Sequence, residues 1–156
     1  MKLRLLAAGT RMPEWVDAGF ADYADRMPRE CRLDLREIPL SRYRRSGDVA
    51  RAVRDEGERL LGAIGPSDLV VALDVGGRSF DTAALADQLD RWMHAGSDVS
   101  LLIGGPDGLS RECLASARMR WSLSPLTLPH ALVRIVVAEQ LYRAWSILKG
   151  HPYHRE

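Results

Sequence analysis

The feature of this chain that most restricts its fold is the alternation of short apolar runs with longer stretches of helical periodicity. The apolar runs predict strands over residues 3–8, 33–38, 69–73, 99–103 and, more briefly, 121–123. Most of these runs are continuous, which is typical of strands covered on both faces. The sequence therefore predicts an α/β fold, a mostly parallel sheet flanked by helices on both sides.

Helix signals fill the gaps between the predicted strands. A helix is expected over residues 13–27, and Asp81 and Ser110 are expected to cap two others, the first of which ends at Gly96. Between the second and third strands, four apolar residues recur at helical spacing and are expected on one buried face: Val49, Val53, Leu60 and Ile64.

A last helix is predicted over residues 129–149, with Gly150 as its stop. It carries an apolar stripe that includes Val137 and Leu141, and Ile135 and Tyr142 add apolar surface beside the stripe. One interpretation is a deeply buried helix, and the other is a helix that packs on the sheet and also on a partner subunit. We favour the second, because terminal helices of small domains usually keep one polar side.

Composition limits the classes of function. The 156 residues fit one domain, and 22 Lys plus Arg against 21 Asp plus Glu give a net charge of +1. Any basic surface for a nucleic acid must therefore be local. Cys31 and Cys113 are too few for a disulfide framework and are expected in the core. No apolar run approaches the roughly 20 residues of a membrane span, so we expect a cytoplasmic protein.

Three loops are expected to share one edge of the sheet. They are residues 104–108, with their glycine pair, residues 73–77, with a second glycine pair, and the proline-bracketed residues 124–129. In open parallel sheets ligands bind at the carboxyl ends of strands. Glycines leave room for a ligand close to the backbone. The sequence predicts a pocket built from backbone groups and leucine side chains.

Acid–base groups are scarce around this predicted pocket. The chain contains no GxSxG, no HExxH and no early GxGxG after the first strand, which argues against common hydrolases and ordinary Rossmann methyltransferases. His151 and His154 lie in the tail without enough companions for a metal site. Transfer of a group from an already activated donor, driven by positioning, fits this composition.

Basic residues cluster locally. Arg42, Arg44 and Arg45 form one basic loop, read either as a phosphate-binding loop or as an ordinary solvated loop. A second candidate patch is formed by four residues near the C-terminus: Arg134, Arg143, Lys149 and Arg155.

Four segments carry a resemblance to a known family. Residues 101–108 read Leu-Leu-Ile-Gly-Gly-Pro-Asp-Gly, residues 123–130 read Leu-Ser-Pro-Leu-Thr-Leu-Pro-His, residues 141–145 read Leu-Tyr-Arg-Ala-Trp, and residues 151–156 read His-Pro-Tyr-His-Arg-Glu. Together they resemble the ribosomal RNA large-subunit methyltransferase H family of the SPOUT superfamily. The resemblance covers essentially the whole chain.

The resemblance implies a homodimeric enzyme that uses S-adenosylmethionine to methylate N3 of a pseudouridine in the helix 69 hairpin of 23S rRNA, within assembled 70S ribosomes. It also implies a C-terminal trefoil knot. The implied cofactor-binding residues are Leu73, Gly104, Gly105, Leu123, Ser124, Pro125, Leu126, Thr127 and Leu128. The Tyr153–His154 tail is expected beside the cofactor of the partner subunit.

A hypothesis for the chemistry follows from the resemblance. The imide N3 must lose a proton as it attacks the methyl group. We expect His154 to accept this proton directly or through a water, Tyr153 to orient the base, and Arg134, Arg143 and Arg155 to contact RNA. A different class stays open, a ribosome-associated module that binds S-adenosylmethionine without turnover.

Overall fold

Five parallel strands form one sheet, as the sequence predicted. The computed structural model describes residues 1–155, and Glu156, the last residue of the C-terminal motif, lies outside the described residues. The strands are β1 (Lys2–Ala8), β2 (Arg32–Ile38), β3 (Leu69–Ser79), β4 (Val99–Ile103) and β5 (Met119–Ser122). Their order in the sheet is β2-β1-β4-β3-β5, with every neighbouring pair parallel.

Five helices cover the sheet on both faces, which confirms the α/β prediction. They are α1 (Glu14–Ala24), α2 (Val49–Ala63), α3 (Thr82–Ala95), α4 (Arg111–Ser116) and α5 (His130–Lys149). Side chains of β1 alternate between two cores: Leu3 and Leu5 join α1, α3 and α5, whereas Leu6 joins α2 and α4. Both cysteines are buried and free, as expected of core residues.

The predicted caps are confirmed. The Asp81 side chain accepts a hydrogen bond from the Ala84 N–H, and the Ser110 side chain accepts one from the Cys113 N–H. Gly96 and Gly150 end α3 and α5 in the left-handed conformation, with φ of 78° and 66°. Such a φ favours glycine because a Cβ would crowd the carbonyl oxygen there.

The buried face of α2 was predicted correctly at Leu60, which is 1% exposed, but not along its first half. Val49 is 45% exposed, and Val53 and Ile64 are only partly buried. The residues that face inward are Ala52, Glu56, Gly57 and Leu60. The apolar spacing missed the rest of this face because Ala52 and Gly57 are small residues that admit close packing and because Glu56 is buried with a charged partner.

Strand β3 is longer than predicted, so the second glycine loop is not a free loop. The strand runs to Ser79, and Leu73 and Arg78 both pair with Trp121 of β5. Residues 74–77 form the bulge between these two pairs. A bulge bends the strand and re-aims its side chains. Asp74 and Val75 are thereby turned toward the pocket edge of the sheet.

Helix α5 lies against both α1 and α3. A Cβ on Gly19 of α1 would lie 2.9 Å from Ile135, so these two helices approach too closely for a larger residue there. Ile135, Val136 and Trp145 remain half-buried in one chain. Within residues 1–155, no helix combines the length and apolarity needed to cross a membrane.

Candidate active site

An open cavity of about 540 Å³ lies at the carboxyl ends of β3 and β4. Its volume is in the range of small-molecule and cofactor sites. Of the nine predicted cofactor-binding residues, only Pro125 is not among the residues that line it. The eight that do are Leu73, Gly104, Gly105, Leu123, Ser124, Leu126, Thr127 and Leu128. The structure therefore brings the three predicted segments together at one edge of the sheet.

The glycine loop forms a tight turn against the cavity. The Gly108 N–H donates to the Gly105 carbonyl at 3.0 Å, across Pro106 and Asp107. Proline at the second position and glycine at the fourth are typical of a type I turn. Gly108 itself has φ of 80°, a conformation that other residues rarely adopt.

Packing within the protein gives a further reason for the glycine pair. A Cβ on Gly104 would lie 2.6 Å from the Gly108 carbonyl oxygen and 2.7 Å from the Leu109 nitrogen. A Cβ on Gly105 would approach Leu40 and the Arg44–Glu56 pair at 3.1 to 3.4 Å. The absent side chains leave room for the protein itself, and this close packing fixes the wall of the cavity.

The opposite wall is the loop between β5 and α5. The Leu126 N–H donates to the Ser124 hydroxyl at 2.9 Å, and the Ser122 hydroxyl donates to the Ser124 carbonyl at 3.2 Å. These bonds hold the loop backbone in a fixed curve. Leu126 is 73% exposed at the cavity mouth, an apolar side chain without a protein neighbour to cover it.

His130, at the start of α5, is a cavity residue that the sequence did not single out. Its Nδ1 is buried without a hydrogen-bond partner among residues 1–155. Burial, reinforced by the positive charges of Arg134 and Arg44, lowers its pKa, so the ring is neutral at pH 7. Its position directly after the proline-bracketed loop was the signal available in the sequence.

Arg134 was expected to contact RNA, and its placement does not fit that role. Its side chain is 1% exposed. Nη1 lies 2.6 Å from a Glu37 carboxylate oxygen, and Nη2 donates to the Gly9 carbonyl at 2.8 Å. The guanidinium therefore joins α5 to the ends of β1 and β2, and both of its terminal nitrogens are occupied.

The C-terminal tail folds back along α5, with Tyr153 beside the middle of the helix and His154 beside Ser146. The Tyr153 hydroxyl donates to Glu139 at 3.0 Å, and its ring lies 4.7 Å from the Tyr142 ring. Burial and the bond to Glu139 raise the pKa of Tyr153, so it remains a neutral phenol. Arg143 lies 4.9 Å above the Tyr153 ring and pairs with Glu139 at 2.6 Å. In this chain Tyr153 anchors the tail to α5, and it forms no hydrogen bond with His154.

The contacts of His154 define its tautomer. Its Nδ1 lies 3.2 Å from the Ser146 hydroxyl, and that hydroxyl is 2.7 Å from the Arg143 carbonyl. A carbonyl only accepts, so the single hydroxyl proton of Ser146 is donated there. Nδ1 must then carry the proton in its bond to Ser146. A neutral His154 consequently presents a lone pair on Nε2.

The basic loop contains two kinds of arginine. Arg44 is held in ion pairs with Glu56 and Asp107, both at 2.6 Å, whereas Arg42 and Arg45 form no ion pair within residues 1–155 and are exposed. Arg42 and Arg51 also lie over the Tyr43 ring, at 5.1 and 3.9 Å. Arg51, in the first turn of α2, extends the patch, and the sequence did not reveal it because it lies outside the basic run.

Comparison with known proteins agrees with this geometry. A family model described as "Predicted SPOUT methyltransferase" matches residues 1–154. A protein of Thioalkalivibrio sulfidiphilus named ribosomal RNA large subunit methyltransferase H is 57% identical over 156 residues, 100% of both chains. A protein of the same name from Hahella chejuensis is 54% identical over 156 residues, again 100% of both chains.

Solved structures share the fold at low sequence identity. A probable methylase family protein from Haemophilus influenzae superposes with a TM-score of 0.57 at 14% identity, covering 97% of this chain and 69% of that chain. TrmJ from Z. mobilis superposes with a TM-score of 0.53 at 18% identity, covering 92% and 70%. With the family model matching nearly the full length, this chain belongs to the SPOUT methyltransferase family.

Proposed function

We propose that this protein methylates N3 of a pseudouridine in the helix 69 hairpin of 23S rRNA, in assembled 70S ribosomes in the cytoplasm. The observation that carries the proposal is the cavity between the glycine loop and residues 123–129, in a chain 57% identical to a large-subunit rRNA methyltransferase along its full length. The base, its position and the ribosomal context come from the family resemblance of the four sequence segments.

The cavity fits the methyl donor of the family, S-adenosylmethionine. Leucine side chains offer apolar walls for a flat aromatic base, and the loop backbones offer polar groups at defined places. The buried Nδ1 of His130 lacks a protein partner, which is expected of a group that meets a bound ligand. When bound, the donor supplies a methyl group on a positively charged sulfur, a carbon that needs little further activation.

The active site is a composite of two subunits in this proposal. Helix α5 has 20 residues and therefore spans about 30 Å. His130, at its first turn, lines the cavity, whereas the tail folds back along the helix, where Tyr153 bonds to Glu139 and His154 lies beside Ser146. Ser146 is about 24 Å from His130 along the helix axis, so His154 of this chain lies away from its own cavity. The tail of a partner subunit meets no such restriction, and the half-buried apolar residues of α5 provide a surface for a homodimer.

His154 acts as the base in this proposal. With Nδ1 bonded to Ser146, Nε2 is the nitrogen available to take the N3 proton of the pseudouridine, directly or through one water. Tyr153 positions the tail through its ring and its bond to Glu139, because its raised pKa keeps the phenol from acting as a base.

RNA contacts are assigned to the exposed arginines. Arg42 and Arg45 of the basic loop and Arg155 of the tail present guanidinium groups at the surface, and Arg143 lies beside the tail. Such groups position phosphates and supply affinity without reading sequence. Arg134 and Arg44 leave the set of RNA contacts because groups of this chain occupy both terminal nitrogens of each guanidinium, whereas Arg143 pairs with Glu139 through Nε and Nη2 and keeps Nη1 without a hydrogen-bond partner within residues 1–155.

A transfer experiment tests the reaction. The protein is incubated with methyl-labelled S-adenosylmethionine and ribosomes that lack the modification, and the label is mapped in the rRNA. We expect one labelled pseudouridine in helix 69. Binding of the donor without any transferred label would support the non-catalytic module instead, and label in free 23S rRNA at the same rate would remove the requirement for assembled ribosomes.

A complementation experiment tests the composite site. His154→Ala leaves the cavity intact, and Leu128→Arg fills the cavity while leaving the tail intact. Each variant alone is expected to be inactive. Mixed subunits are expected to recover activity, since one site of each heterodimer then combines an intact cavity with an intact tail. If dimers form and exchange but the mixture stays inactive, the site does not span two subunits.

A further inference from the structure

We propose that Arg44 is a positioning residue for the methyl-donor pocket: through Asp107 it holds the glycine loop in its binding conformation and is not an RNA contact. The inference rests on the proposed assignment of the cavity to S-adenosylmethionine. It separates Arg44 from Arg45, its neighbour in the same basic run.

The buried carboxylate of Glu56 fixes the guanidinium of Arg44. The Glu56 side chain is 3% exposed, and Arg44 bonds its two oxygens through Nε at 2.6 Å and Nη2 at 2.7 Å. The Ser41 N–H adds a third hydrogen bond to Glu56 at 2.8 Å. A buried carboxylate is costly without such partners. The two bonds from Nε and Nη2 therefore hold the Arg44 guanidinium in one orientation against Glu56.

The remaining edge of the same guanidinium reaches the glycine loop. Nη1 of Arg44 lies 2.6 Å from the Asp107 carboxylate, in the middle of the turn that joins Gly105 to Gly108. Because Glu56 holds the guanidinium plane, Nη1 is presented at a fixed point, and the turn is tied to that point. We call the three side chains Arg44, Glu56 and Asp107 the clasp.

The backbone of the loop rests on the clasp as well. A Cβ on Gly105 would lie 3.4 Å from both Arg44 Nη2 and Glu56 Oε1, so the loop backbone passes close beside the clasp. Gly104 and Gly105 line the cavity, but Asp107 does not. The clasp therefore acts on the donor pocket through loop position, and it has no direct contact with the cavity.

Loop ordering supplies the expected effect on affinity. A loop that is already held in its binding conformation loses less conformational freedom when a ligand binds. Removing Asp107 frees the turn but leaves Arg44 and Glu56 paired, so the fold keeps its buried ion pair. We expect Asp107→Ala to weaken binding of S-adenosylmethionine by about fivefold. Asp107→Asn keeps an acceptor for Nη1, so its affinity should lie between those of the wild type and Asp107→Ala.

The structure offers matched controls. Asp34 is 42% exposed and pairs with Arg32, whereas Asp107 is 44% exposed, so Asp34→Ala removes an equally exposed carboxylate away from the cavity. Arg45→Ala removes a charge next to Arg44 without touching the clasp. The measurement is calorimetric titration of the full-length protein with S-adenosylmethionine in the absence of RNA, with the melting temperature of each variant recorded.

The inference predicts weaker donor binding for Asp107→Ala and Arg44→Lys, with unchanged donor affinity for Asp34→Ala and Arg45→Ala. It also predicts that the Arg44→Lys/Asp107→Ala double variant binds S-adenosylmethionine no more weakly than whichever single variant has the lower affinity, because both changes open the same clasp. Wild-type affinity in a stably folded Asp107→Ala protein would overturn it. If Arg44→Lys keeps wild-type affinity while Asp107→Ala loses it, Asp107 acts on the donor directly and the role of Arg44 is wrong.

Failure of the cavity assignment gives a different result. If Leu128→Arg, which fills the cavity, binds S-adenosylmethionine as tightly as the wild type, the donor binds elsewhere. The clasp then has no role in donor binding and both proposals are overturned.

Discussion

Substitution of Arg134 by alanine tests whether this buried arginine stabilises the fold or binds RNA. The variant loses the hydrogen bond to the Gly9 carbonyl and the ion pair with Glu37, at 2.8 and 2.6 Å. The unpaired buried carbonyl costs about 2 kcal/mol. Loss of two buried methylene groups adds about 1.6 kcal/mol.

Two terms reduce or limit that estimate. Nε of Arg134 is already buried without a partner, so its removal returns about 1 kcal/mol. The Glu37 side chain is 32% exposed, and water covers part of its charge once Arg134 is gone, which keeps that loss below about 1 kcal/mol. We expect a net destabilisation of about 3 kcal/mol, equivalent to a fall in Tm of about 6–12 °C for a chain of this size.

Urea denaturation at one fixed protein concentration measures this change, since a dimer's apparent stability depends on concentration. Arg59→Ala is the control, because Arg59 pairs with Asp55 on the surface of α2 and should contribute less than about 0.5 kcal/mol. The reasoning is refuted if Arg134→Ala unfolds like the wild type and instead lowers RNA affinity, with a salt dependence reduced by about one phosphate contact.

Three further predictions concern the cavity and the tail. Gly104→Ala is expected to weaken binding of S-adenosylmethionine and to destabilise the fold by about 1–3 kcal/mol, measured by titration and by urea denaturation, because its Cβ would meet the Gly108–Leu109 backbone. His130 has a lowered pKa through burial and nearby arginines, so the unfolded chain takes up a proton at a higher pH than the folded chain does. Stability is therefore expected to fall as the pH drops below about 6.5, and a denaturation series in pH should show a smaller fall for His130→Gln. Tyr153→Ala is expected to lower kcat on ribosomes at least tenfold, whereas Tyr153→Phe, which retains the ring that packs on Tyr142, should recover most of it; equal losses in the two variants would assign the role to the hydroxyl.

The sheet, the caps and the cavity segments were predictable because their signals are local. Each strand overlaps a segment that the sequence predicted as a strand, and each cap is a single residue beside a helix. The cavity followed from a rule of topology, that loops after neighbouring parallel strands meet at one edge. The bulge at residues 74–77 was missed because it depends on pairing with Trp121 of β5, more than 40 residues away.

The inward face of α2 was predicted only in part, at Leu60, for a similar reason. Hydrophobic periodicity assumes that buried positions are apolar, but the centre of this face is Glu56, with Gly57 beside it. Glu56 is buried because Arg44 and the Ser41 N–H satisfy its oxygens. A Cβ on Gly57 would collide with the Ser110 hydroxyl of the α4 cap, so the glycine is required by packing between two helices.

The same dependence on distant partners decides which arginines carry an unpaired charge at the surface. A chain with a net charge of +1 has nearly as many carboxylates as basic groups, and the sequence does not state which of them pair. Arg44 and Arg45 are equivalent in the sequence, yet Arg44 pairs with carboxylates 12 and 63 residues away, and Arg45 pairs with none within residues 1–155. Pairing removes selected arginines from the surface charge and leaves Arg42, Arg45 and Arg51 of the basic patch without an ion pair within residues 1–155. A nearly neutral protein therefore carries a local basic surface because of where its acids are placed, without an excess of basic residues, and moving one carboxylate partner would change that surface as much as adding an arginine.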